Sequence, residues 1–144
     1  VGAMRDEAFR ARVFAADTGE RDRSKLGGGV VRAFESMFVL GDPPDYEPDP
    51  GTSIAALARA AGREPLDVAY DLLLADGGRS FLYVPALNYV GGNLDSTREM
   101  LLHPLTIPGL SDGGAHVGTI CDGSFPTTLL THWCRGSHAR RPRR

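Results

Sequence analysis

Residues 107–118 read Ile-Pro-Gly-Leu-Ser-Asp-Gly-Gly-Ala-His-Val-Gly and hold the side chains best placed to do chemistry. An apolar run from Leu105 to Leu110 stops at Ser111-Asp112, and two glycines follow. Beyond an irregular loop, a helix-like segment covers about Pro126 to Trp133. Strand, Asp, Gly-rich loop and helix, in that order, put a carboxylate at the carboxyl end of a strand. In barrels of alternating strands and helices that end carries the chemistry. Gly113 and Gly114 let the backbone turn sharply or come close to a ligand. His116 sits in the same loop, within reach of a substrate. A plainer reading stands beside this one. Asp112-Gly113 is then a simple turn, since Asp and Gly are turn residues for separate physical reasons, and His116 is an exposed loop histidine.

Other reactive residue types are scattered. His116, Cys121, His132 and Cys134 are chemically suitable for zinc. His132 and Cys134, however, stand two apart on an expected helix and do not share a face. No Cys-x-x-Cys pair accompanies them, so no metal ligand is assigned. Gly27-Gly28-Gly29 lacks the Lys-Ser/Thr ending of a phosphate-binding loop and the spaced glycines of a dinucleotide fingerprint. Prolines interrupt Asp42, Asp45, Glu47 and Asp49, which spoils the spacing of an oxygen-lined calcium loop. Both stretches read as surface loops. His103, before Pro104, reads as a helix-end residue near the negative end of the dipole. Trp133 joins Leu129 and Leu130 in the core stripe of the last helix.

The elements that must position these residues alternate. Residues 4–17 carry Ala8, Phe9, Val13 and Ala16 at helical spacing. Residues 36–40, rich in Phe and Val, read as a strand. Gly41 to Pro50 then holds four of the ten prolines, so it is an extended surface crossing. Ser53 caps a helix that Gly62 ends, with Leu57 and Ala61 on its buried face. Pro65 opens a second helix, whose stripe is Leu66, Ala69, Tyr70 and Leu73 and whose stop is Gly77-Gly78. Residues 81–84 form a strand ending at Pro85, and residues 88–93 a loop in which Tyr89 and Asn93 are ligand-contact candidates or plain surface. Ser96-Thr97-Arg98-Glu99 has capping-box spacing, and the short helix it starts stops at His103-Pro104. The strand at 105–110 and the last helix follow. Such alternation favours parallel strands with crossover helices, an α/β fold.

At 144 residues and 15.4 kDa, with 42% hydrophobic and 24% charged residues, the chain suits one globular domain. That domain is expected over 1–134, with a disordered Arg-rich tail at 135–144. The formal net charge is −2, which argues against a specific nucleic-acid partner. The five arginines of the tail offer phosphates only nonspecific, salt-dependent attraction. The apolar runs are too short to span a bilayer, and the start lacks a basic region followed by an apolar core. A cytoplasmic setting is therefore expected, away from membranes, with Cys121 and Cys134 reduced.

Ser111-Asp112-Gly113-Gly114-Ala115-His116, with Gly118 and the later Ser124-Phe125-Pro126-Thr127 run, resembles the end of the metal-dependent amidohydrolases. The nearest branch is that of the N-acyl-D-amino-acid deacylases (D-aminoacylases). Gly51-Thr52-Ser53-Ile54-Ala55-Ala56-Leu57-Ala58 and Glu64-Pro65-Leu66-Asp67-Val68-Ala69-Tyr70-Asp71-Leu72-Leu73 resemble the helical part of the same family. The resemblance runs from about residue 30 to Trp133, and the order of its pieces is more specific than any one of them.

The resemblance implies a partial (β/α)8 (TIM-type) barrel, roughly the last three strands with their helices. It also implies hydrolysis of the amide C–N bond of an N-acylated amino acid. That reaction needs an activated water and a proton for the departing amine. In the complete enzyme Zn supplies the first, lowering the pKa of its bound water to about 7, and a carboxylate carries the proton. The family's shuttle Asp follows the final barrel strand, so the role carries to Asp112. Gly113, Gly114 and His116 become the substrate-binding residues beside it. The family's metal ligands, histidines and a cysteine or carboxylate-type group, come from earlier strands. No histidine precedes His103 and both cysteines follow Asp112, so no ligand carries over and the chain alone is expected to be inactive. A full enzyme of this kind is several times longer. Late barrel strands by themselves leave open edges and apolar faces, which favours self-association or a complementing chain. The alternative is a non-catalytic α/β protein that acts through association with a partner chain.

Overall fold

Residues 1–16, 32–109, 113 and 123–135 are described by the computed structural model. The chain divides into two units, Val1–Gly92 and Asn93–Arg144.

The first unit is organised by a helical pair whose boundaries follow from local chemistry. Helix α2 (Ile54–Ala61) starts where the Ser53 hydroxyl accepts from the Ala56 N–H at 3.2 Å, and it ends at Gly62, in the left-handed conformation at φ 62°. A side chain is strained there, so glycine ends the helix cheaply. Helix α3 (Pro65–Leu74) has proline in its first turn, where the missing N–H is no loss. Ile54 and Ala58 of α2 meet Val68 and Ala69 of α3, and Met37 completes the buried cluster. Leu57, Leu72, Leu82 and Val84 pack around it. The expected stripes hold in outline only. Ala61 is exposed, Leu66 is half-buried and Leu73 is exposed, while Val68 is buried.

Strands β1 (Phe38–Leu40) and β2 (Phe81–Tyr83) form a two-stranded sheet, paired Phe38 to Tyr83, Val39 to Leu82 and Leu40 to Phe81. The pairing is antiparallel, which corrects the expectation that these strands run parallel. The reason lies in the connection. A parallel crossover uses one helix to return the chain, whereas α2 and α3 are two, joined only by Gly62-Arg63-Glu64. With the chain reversed once more, β2 runs back along β1.

Helix α1 (Glu7–Ala16) is capped by Asp6, whose Oδ1 accepts from the Phe9 N–H at 2.8 Å. No residue of α1 is buried, so its attachment is polar and aromatic. Arg10 donates to Asp67 at 2.8 Å and to Asp71 at 2.6 Å. The same guanidinium lies 5.2 Å from the Phe14 ring centre and 5.1 Å from that of Tyr70. The Tyr70 hydroxyl donates to the Met4 carbonyl at 2.8 Å.

In the second unit, helix α4 (Asp95–Leu102) begins one residue before Ser96 and has no side-chain cap at Leu94. The Asn93 side chain instead accepts from the Asp95 N–H at 3.0 Å, so the capping box expected at Ser96 is not what starts the helix. The strand expected at 105–110 does not form in its described part, 105–109. Its first residues turn back on His103, through Thr106 N–H to the His103 carbonyl at 3.0 Å. Leu105 and Ile107 are 86% and 88% exposed, and a lone segment has no ladder to join. The last helix, α5 (Phe125–Thr128), widens into a π-helical turn over Leu129–Cys134, with Arg135 N–H bonded to the Leu130 carbonyl at 3.2 Å. Among the described residues, no helix is long and apolar enough to cross a membrane.

Candidate functional site

Asp112, Gly114 and His116 lie outside the described residues, as do Ser111 and Cys121. Gly113 is described: it is exposed and in a turn. The expected 135–144 tail lies outside as well, apart from Arg135. On either side of the motif, the chain enters by the irregular, exposed residues 106–109 and leaves through a turn at Gly123-Ser124 into α5. The Ser124-Phe125-Pro126-Thr127 run therefore stands at a helix start, with Pro126 in the first turn.

The described histidines have structural surroundings. The His103 Nδ1 accepts from the Leu105 N–H at 3.2 Å, so that nitrogen serves the turn after α4. His132 is half-buried and meets Trp133 edge-on, ring centres 5.0 Å apart. Cys134 is a free, exposed thiol. Among the described residues, no group of three or more His, Cys, Asp or Glu side chains is placed to hold a metal ion.

Around β2 a group of tyrosines comes together that the sequence marked only at Tyr89. Tyr46 and Tyr83 meet edge-to-face with ring centres 6.0 Å apart, and the Tyr83 hydroxyl reaches the Tyr46 carbonyl at 3.4 Å. Burial pushes the Tyr83 and Tyr89 phenols up, and the negative charges of Glu47 and Asp45 add to it. The Tyr89 hydroxyl is buried and has no hydrogen-bond partner among the described residues. Neutral phenols in this setting are packing groups with a polar tip. Asn93, the other residue marked in that loop, is occupied at the start of α4.

The second unit holds a cavity of about 270 Å³. It is lined by Arg98, Leu101 and Leu102 of α4, by Leu129, Trp133 and Cys134 of the last helix, and by Pro108. Sequence reasoning missed it. The one available signal was the pairing of Trp133 with Leu129 on one helical stripe, which read as core. Comparison with protein-family models, with curated proteins and with solved structures finds no match for this chain.

Proposed function

We propose that this chain is the late portion of a metal-dependent amidohydrolase of the N-acyl-D-amino-acid deacylase type, acting on the amide C–N bond of an N-acylated amino acid. The observation that carries the reading is one ordered block of sequence. Asp112 follows an apolar run, Gly113-Gly114 and His116 come next, and Ser124-Phe125-Pro126-Thr127 closes the block. The start of α5 at Phe125 supports the helical end of that order. In this reading the Asp112 carboxylate takes a proton from the attacking water and delivers it to the departing amine nitrogen. Gly113 and Gly114 leave the backbone open to the substrate, and His116 meets it from the same loop. Zinc, when bound in the complete enzyme, supplies a water of lowered pKa. A partial (β/α)8 barrel and a cytoplasmic setting belong to the same proposal. The barrel draws its support from the sequence resemblance alone, since β1 and β2 are antiparallel and no strand forms over 105–109.

The test is amine release from N-acyl-D-amino acids with zinc supplied. The chain alone is expected to give none above background. Combined with the product of the reading frame immediately upstream, it is expected to turn over. Asp112→Asn in that preparation should then lower the rate about 10²–10⁴-fold, because the amide keeps the shape but can neither take up nor deliver the proton. Zinc content should stay near normal. A combined preparation without turnover overturns the proposal, and an Asn variant keeping more than about a tenth of the rate overturns the shuttle role.

A second reading has its own support. Leu87, Leu105 and Ile107 are 82%, 86% and 88% exposed. Large apolar side chains in open water favour a protein that works by association with a partner chain.

A further inference from the structure

The cavity in the second unit has a chemical character that the hydrolase reading does not use. An apolar cavity of about 150 Å³ holds a benzene ring. At about 270 Å³, this one has room for a ring and a short arm. Leu101, Leu102 and Leu129 make its lining apolar, and Trp133 adds an aromatic surface. Arg98 is the one charged group among the lining residues. A guanidinium has five N–H donors in a planar fork that matches a carboxylate, so it can keep one partner while it engages another. An ammonium ligand would meet like charge there. A neutral ligand would forgo the charge-assisted pair.

We propose that this cavity binds a small monocarboxylate with a compact apolar body, the body among the leucines and Trp133 and the carboxylate on Arg98. The assignment does not rest on the hydrolase reading, since no lining residue belongs to the 111–118 block.

Trp133 is the only tryptophan in the chain, so its emission reports on the cavity without background. The probes are 3-phenylpropionate, 3-phenylpropanamide and 3-phenylpropylamine, titrated into the full chain and followed by Trp133 emission and by calorimetry. The acid is expected to bind at least about tenfold more tightly than the amide, as a charge-assisted pair implies, and the amine most weakly. Arg98→Gln should bring the acid down to the level of the amide while leaving the amide unchanged. The acid should also slow alkylation of Cys134, read by peptide mapping separately from Cys121. Equal affinity for acid and amide in the unaltered chain overturns the carboxylate assignment, whatever the variant does. No response of Trp133 to any of the three, or no protection of Cys134 at saturating acid, overturns the site.

Discussion

Arg10 shows how much one side chain can hold when its helix buries nothing. Two carboxylates and two aromatic rings converge on its guanidinium. Arg10→Met keeps most of the apolar stem and removes the fork. Part-exposed ion pairs contribute little, and cation–π contacts somewhat more, so the expected loss is about 1–2 kcal/mol in urea denaturation. Arg10→Lys should fall between, because an ammonium cannot serve both carboxylates in the same plane. Acid should act on the same cluster. Burial alone would raise the Asp71 carboxyl, but hydrogen bonds from Arg63 and Arg10, with their charges, outweigh it and hold the group below its ordinary range. A carboxyl depressed in the folded state stabilises fully above its unfolded pKa of about 4, and that contribution is lost as pH falls further. The protection of α1 amides, relative to their intrinsic exchange at each pH, is expected to fall below about pH 4 before that of α2 does. None of this cluster was legible in the sequence, since its partners stand 57 and 61 positions apart and α1 showed only its periodicity. Asp112 is the reverse case: its immediate neighbours mark it as a candidate, and its geometry lies outside the described residues.

At the scale of elements, two capping signals of similar quality had different outcomes. Ser53 receives the Ala56 N–H and is 1% exposed. Ser96 has the same spacing to a glutamate, but Asn93 takes the first free N–H and α4 starts at Asp95. Ser53→Ala should therefore cost about 1 kcal/mol, and Ser96→Ala close to nothing. Equal losses by thermal or urea melting would mean that the cap at Ser96 forms in solution. The helical pair was legible because Ser53, Gly62 and Pro65 act within one or two turns. Strand direction was not, because it depends on how many helices return the chain. The strand at 105–110 was over-read for a related reason: its apolar letters describe a surface that wants a partner, and pairing is a property of two segments.

For the whole molecule, the exposed apolar side chains set the expected behaviour. Phe81 is 68% exposed, and Leu105 and Ile107 more so. The chain is expected to self-associate with rising concentration, read by sedimentation velocity. Ile107→Asp should weaken that association without lowering the melting temperature, because the site is already in water. A monomer at every concentration would remove the support for the association reading. The division at Gly92 was not legible either. Gly91-Gly92 looked like part of a loop, and no change of composition marks it.

The π-helical turn at Leu129–Cys134 makes the length of the last helix a variable in its own right. A wide turn of this kind is what one inserted residue leaves in an α-helix. Deleting Thr131 would let the helix close to ordinary pitch with its backbone bonds intact. Every side chain beyond the deletion would swing to a new bearing, and Trp133 and Cys134 would leave the cavity wall together. Point substitutions cannot imitate that shift. Sequences that differ here by a single insertion or deletion would share the helix and differ in the cavity.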